Sequence, residues 1–111
     1  MNSNECVSET LGDYVLVRLS GEVDLSWSQQ VRRAILDALG DTGKVGVELS
    51  EVSYIDSSGI AALVEGFQSA RSHNQKFGLV AVSAAVMAVL QLARLDRVFP
   101  IFADLDAARA A

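Results

Sequence analysis

Residues 44–67 read KVGVELSEVSYIDSSGIAALVEGF, and the change of period inside this stretch decides the fold class. Val45, Val47 and Leu49 alternate with Lys44, Gly46 and Glu48, the two-residue repeat of a strand with one buried face. After the EVSYID segment, Ile60, Leu63, Val64 and Phe67 recur at i, i+3, i+4 and i+7, which is one face of a helix. Glu65, Gln68 and Arg71 fall on the opposite face. A strand therefore leads into a helix, with Asp56-Ser57-Ser58-Gly59 at the junction.

The same alternation of periods extends in both directions. Upstream, residues 14–19 (YVLVRL) place Val15, Val17 and Leu19 on one face of a strand and Arg18 on the other. Gly12-Asp13 is a turn signal that lets residues 5–10 pair with this strand as a hairpin. The segment Gly21-Glu22-Val23-Asp24 breaks the alternation. Trp27, Val31, Ala34, Ile35 and Ala38 then follow at helical spacing, with Ser26 or Asp24 as the expected cap and Gly40 as the expected terminator. Downstream, SHNQ (72–75) is polar loop, and FGLVAV (77–82) is a nearly all-apolar strand of the kind covered on both sides. Ser83 caps a third helix with Val86, Val89, Leu90 and Ala93 as its apolar stripe. Residues 98–102 form a last short strand around Pro100, and Asp104-Leu105-Asp106 starts a terminal alanine-rich helix. Strands separated by helices of this length imply parallel pairing through right-handed crossovers. The expected fold is α/β, a mixed and mostly parallel sheet with an N-terminal hairpin at its edge and about four helices. No repeat or linker divides the chain, so residues 1–111 read as a single domain.

Composition narrows the function classes. Half of the 111 residues are apolar and 21% are charged, as in a globular domain. A chain of this length buries roughly two-thirds of the surface its unfolded form exposes. The net charge is −5, and among the nine Lys and Arg only Arg32 and Arg33 are adjacent. Direct nucleic-acid binding needs a concentrated basic face, and an anionic membrane surface attracts basic segments, so both are disfavoured. Cys6 is the single cysteine, which leaves no intramolecular disulfide. MNSNECVSET carries no secretory signal, and no window approaches the ~20 apolar residues of a membrane span, so the chain reads as a soluble cytoplasmic protein.

Most catalytic arrangements fail on residue type or spacing. With His73 as the only histidine and no cysteine cluster, a zinc site is not expected. A Ser-His-Asp triad would need His73 beside Ser57 or Ser58, yet it lies at the far end of the same helix, ~22 Å away at about 1.5 Å per residue. Neither nucleotide-binding glycine fingerprint is present. Glu22, Asp24 and Asp56 follow two strands and could gather at one sheet edge as an acid/base pair or a magnesium site, but service as caps and turn residues explains them more simply. Trp27 and the Leu/Val stripes read as core.

DSSG is the exception. Asp56, Ser57 or Ser58 can each cap the helix through a side-chain oxygen, and one cap suffices. The surplus hydroxyl stands exposed at the sheet edge. A phosphate added there would meet the positive end of the helix dipole and the opposing charge of Asp56, with Asp24 also close at the edge. Such a site is a physically reasonable switch whose chemistry another protein supplies.

At these residues the sequence resembles the STAS domain family of sulfate transporters and anti-sigma factor antagonists. Three stretches carry the resemblance: LSGEVD (19–24) after a strand, LSEVSYIDSSG (49–59), and SAAV (83–86) opening a helix that runs into LQLARL (90–95). Their order covers essentially the whole chain. The free-standing members it looks like are bacterial anti-sigma factor antagonists, in which the serine directly after the motif aspartate is phosphorylated. The resemblance implies that Ser57 is that residue, that the kinase is itself the anti-sigma factor and uses the ATP, and that a metal-dependent serine phosphatase resets the cycle. Unphosphorylated antagonist binds the kinase and frees a sigma factor. By the same resemblance Glu22, Asp24, Asp56, Ser57, Ser58, Gly59 and Ala61 make the partner surface, and the chain is a regulator without catalytic residues, metal or cofactor. The family motif usually continues Gly-Leu-Gly, whereas Ile60 and Ala61 follow Gly59 here. Ala61 adds a methyl group in the first helical turn, where a partner's close approach to the backbone is affected. The alternative within the family is the small cytoplasmic STAS subunit seated on the ATPase of a lipid-transporting ABC system, whose loop is typically less serine-rich.

Overall fold

The computed structural model describes residues 4–111. Five strands form one sheet in the order β1-β2-β3-β4-β5. β1 (Glu5–Leu11) and β2 (Tyr14–Val23) pair antiparallel through the Gly12-Asp13 turn. β2, β3 (Lys44–Ile55), β4 (Lys76–Val80) and β5 (Ile101–Phe102) are parallel to one another. Four helices connect or follow them: α1 (Ser28–Thr42), α2 (Ser57–Ser72), α3 (Ala84–Leu92) and α4 (Leu105–Ala110). This is the mixed, mostly parallel α/β arrangement expected from the alternation of two-residue and helical periods.

The strand pattern sets the core. Val15, Val17 and Leu19 of β2 and Val45, Val47 and Leu49 of β3 are buried in one cluster with Val31 and Ile35 of α1 and Leu63 of α2. Burying side chains of this size stabilises the fold by about 1.5–3 kcal/mol each. α1 and α2 can approach closely because Gly66 has no side chain: a Cβ there would lie 2.6 Å from Ile35 Cγ2 and 3.0 Å from Phe77 Cε2. Phe67, Phe77 and Phe99 pack as a tilted and edge-on trio with centroids 5.5–6.2 Å apart. On the other face of the sheet, Leu16, Val80 and Leu105 surround Gly46, and the Tyr14 hydroxyl donates to the Ala108 carbonyl. α4 is thereby tied to the start of β2.

Several boundaries differ from the sequence reading. Gly40 lies inside α1. The helix ends instead at Gly43, which adopts φ 71° and donates its N–H to the Leu39 carbonyl at 2.9 Å. Neither Asp24 nor Ser26 caps α1, because the Asp24 carboxylate accepts from the Ser26 N–H and Oγ within its own turn, and Trp27 occupies the cap position without a side-chain bond. β2 runs on through the Gly-Glu-Val segment, accommodated by register shifts against β3 and by φ 86° at Gly21. β3 is continuous through EVSYI. Ala93 is exposed at the end of α3. The strand expected around Pro100 shrinks to two residues after a 3-10 turn at Leu95–Arg97, since Pro100 has no N–H for a ladder and Phe99 is buried.

Candidate functional site at the end of the sheet

The parallel pairing of β2 and β3 carries two loops to the same end of the sheet. Glu22 pairs with Tyr54 and Val23 with Ile55, so the Asp24 turn and the Asp56 junction leave the sheet side by side. The Asp56 N–H donates to the Val23 carbonyl at 3.2 Å and closes the two ends together.

Asp56 is the cap of α2. One carboxylate oxygen, Oδ1, accepts from the Ser58 N–H at 2.9 Å, the Gly59 N–H at 3.1 Å and the Ser58 Oγ at 2.6 Å. These bonds hold the Asp56 carboxyl below its ordinary range, the Ser58 hydroxyl first and the Gly59 N–H next, with the Leu25 N–H contributing from the neighbouring loop. Asp56 is consequently ionised near neutral pH. The two serines are therefore not equivalent. Ser58 is half-buried and committed to the cap, whereas Ser57 is exposed as the first residue of α2, and its hydroxyl has no hydrogen-bond partner among the described residues.

Gly59 has a different part from the one its sequence neighbours suggest. It is buried, and a Cβ would lie 2.7 Å from Ile55 Cγ1, 2.8 Å from Val23 Cγ1 and 2.9 Å from the Val23 carbonyl oxygen. The glycine seats the first turn of α2 on the ends of β2 and β3, which is what brings Ser57 to the rim. Ala61 is exposed on the same turn, so its methyl group reaches solvent.

The carboxylates do not form a cluster. Asp24 is engaged with Ser26, Asp56 with the α2 cap, and Glu22 lies on β2 with its N–H donating to Asn4 Oδ1 at 2.9 Å. Among the described residues no three His, Cys, Asp or Glu side chains stand together in a way that could hold a metal ion. Cys6 is half-buried on β1, and burial pushes its thiol pKa up, away from the reactive thiolate.

Two residues at this edge escaped sequence reading. Leu25, beside Asp24, is 74% exposed, and Tyr54, two residues before Asp56, is 50% exposed. Residues 6–108 of the chain match the STAS domain. The chain belongs to the STAS domain family. Its relatives include the anti-sigma-B factor antagonist of Listeria monocytogenes, 26% identical over 91% of this chain and 90% of the relative. The crystal structure of an anti-sigma factor antagonist from Mycobacterium paratuberculosis has a TM-score of 0.86 at 27% identity, covering 97% of this chain and 92% of that one. The Bacillus cell fate determinant SpoIIAA in its phosphorylated form shares the STAS fold with a TM-score of 0.75 at 22% identity, covering 96% of this chain and 97% of that one. No helix among the described residues is long and apolar enough to cross a membrane.

Proposed function

We propose that this STAS protein is an anti-sigma factor antagonist, a regulator that binds a serine-kinase anti-sigma factor when Ser57 is unmodified and so frees a sigma factor. The observation that carries this reading is the division of labour at the junction. Asp56 and Ser58 complete the cap, and the exposed Ser57 hydroxyl has no hydrogen-bond partner among the described residues.

In this mechanism the partner kinase binds ATP and transfers the γ-phosphoryl group to Ser57 Oγ, releasing ADP and the hydroxyl proton. This chain contributes position: α2 presents the nucleophile at its N-terminal turn, clear of the core. The product adds about two negative charges. The α2 dipole favours them and the ionised Asp56 opposes them, so the fold tolerates the phosphate while the surface it offers changes sharply. The exposed Leu25, in the loop next to Asp56, supplies an apolar anchor for the partner, and Glu22, Asp24 and Ala61 complete the proposed contact surface. Dephosphorylation by a metal-dependent serine phosphatase restores the binding state. The chain works in the cytoplasm, where kinase and sigma factor are found.

The test is affinity capture of the tagged protein from its own cells, with mass spectrometry of the partner and of Ser57, followed by binding measurements on the partner recovered. Recovery of a kinase anti-sigma factor, phosphate on Ser57 in the unbound pool, and binding by Ser57→Asp at least about tenfold weaker than by Ser57→Ala are expected. Equal binding by the two variants would sink the switch. Capture of an ABC ATPase with Ser57 unmodified would instead assign the protein to the transporter-accessory branch of the family.

A further inference from the structure

At the end of the sheet opposite Ser57, a cavity of about 280 Å³ opens beside the start of β4, between the C-terminal half of α2 and the chain around α4. Tyr14, Phe67, Ala70, Phe77 and Phe102 give it apolar walls. Gly78 also lines it and has only main-chain atoms to contribute, so the cavity reaches the β4 backbone. The sheet edge is open at this point. We infer that the cavity receives an extended peptide segment with an apolar side chain, which adds to the edge of β4 as a further strand.

The register identifies the open main-chain groups. Alternate residues of a strand in a parallel sheet bond to opposite neighbours. Lys76 gives its N–H to the Gly43 carbonyl on the β3 side, whereas Leu79 and Ala81 give theirs to the Pro100 and Phe102 carbonyls on the β5 side. Phe77 belongs to the second set. Leu79 pairs with Ile101, so the residue in register with Phe77 would be Phe99, with Val98 accepting and residue 100 donating. Neither bond forms. The chain at Val98 has helical dihedrals, φ −93° and ψ −46°, after the 3-10 turn, and residue 100 is a proline with no N–H to give. Among the described residues, the Phe77 N–H and C=O are therefore both without a main-chain partner on the outer side of β4.

A donor and an acceptor from one residue of an extended strand are matched together by the C=O and N–H of one residue of an antiparallel strand. A carboxylate would leave the Phe77 carbonyl unmatched, and an ammonium would leave its N–H unmatched. The cationic side chains at the cavity are engaged within the chain: the Arg71 guanidinium stands 5.7 Å from the Phe67 ring centroid, and Lys76 Nζ donates to the Ala111 main-chain oxygen at 3.3 Å. The unmet polar demand is thus a neutral peptide's. A residue opposite Phe77 would place its side chain on the face where Phe67 packs, and its neighbours would turn theirs toward the other face. There Gly78 lets the Phe102 ring lie against β4, where a Cβ would come within 2.7 Å of Phe102 Cε2. Strand addition of this kind takes affinity from main-chain bonds and selectivity from such side-chain pockets. The sheet's other edge, β1, is bordered instead by polar and charged side chains, among them Gln30, Arg33, Asp37 and Asp41.

The site is tested on the full chain by ¹⁵N–¹H NMR titration with N-acetyl-leucine methylamide. Two altered probes accompany it: the analogue methylated on the leucine nitrogen, which lacks that N–H, and N-acetyl-glycine methylamide, which lacks the side chain. Saturable shifts centred on the Phe77 and Gly78 amides are expected with the leucine probe, together with slower hydrogen exchange of the Phe77 N–H at saturation. Each altered probe should bind at least about fivefold more weakly. Absence of saturable shifts with the leucine probe, equal binding by the N-methylated analogue, equal binding by the glycine probe, or Phe77 exchange unchanged at saturation would each overturn the assignment.

Discussion

Replacing Ser57 with alanine removes an exposed hydroxyl with no hydrogen-bond partner among the described residues, so thermal or urea unfolding should move by no more than about 0.5 kcal/mol. Ser58→Ala, one residue further on, removes a half-buried donor to the Asp56 carboxylate and should cost roughly 0.5–1.5 kcal/mol. The opposite ranking, with Ser57 the costlier loss, would mean that Ser57 is the cap and would remove the main support for its role as phosphoacceptor. Leu25 separates surface from stability in the complementary way. It is 74% exposed, so Leu25→Ser should leave the unfolding midpoint in place while weakening capture of the partner by about tenfold. A parallel loss of stability would show that Leu25 serves the fold rather than the interface. That such residues were hidden in the sequence has a simple cause: an apolar letter in a short turn reads the same whether it points into the core or into water. The aspartate and serines were legible because their number exceeded what a cap requires.

The second helix was legible for a different reason. Ile60, Leu63, Val64 and Phe67 keep one period over two turns, and packing against β3 and α1 reinforces that period. Helix ends depend on single residues and are harder to read. Gly40 and Gly43 stand three apart at the end of α1, but only the second must take φ 71°, and nothing within 4 Å of Gly40 requires it to be glycine. Asp24 and Ser26 are both good capping residues, yet they bond each other first. Gly59 was placed in the contact surface, whereas its demand is steric and exists only once Val23 and Ile55 are brought beneath it. Gly59→Ala therefore tests the seat of the whole element. A methyl group 2.7–2.9 Å from Ile55, Val23 and the Val23 carbonyl must displace the first turn of α2, at a cost of about 1–3 kcal/mol. Because Ser57 rides on that turn, the same variant should slow its phosphorylation even where the protein remains folded. A stable Gly59→Ala protein phosphorylated at the wild-type rate would show that α2 is not held by this contact.

Across the whole molecule, the two ends of the sheet are each secured by an ionised carboxylate. At one end, in the hairpin turn before β2, Asp13 accepts from Lys44 Nζ at 2.8 Å, and Arg109 of α4 stands nearby at 3.9 Å. At the other, beyond β3, Asp56 caps α2. Both carboxyls are held below their ordinary value of 3.8, Asp13 chiefly by its bond from Lys44 and Asp56 chiefly by its bond from Ser58. A carboxyl depressed in the folded state contributes stability that is complete above its unfolded pKa and is lost as pH falls through its folded pKa. The unfolded chain takes up the proton first, so stability should be level near neutral pH and decline from just above 3.8 downward. Asp13→Asn and Asp56→Asn should each flatten that decline by up to one proton's worth of slope in urea midpoints measured against pH. Because the two groups sit at opposite ends of β-strands and share no partner, the double variant should show the sum of the two single effects. A double variant no flatter than either single one would mean that the two carboxyls are not independent, one substitution having already removed the other's native bonds.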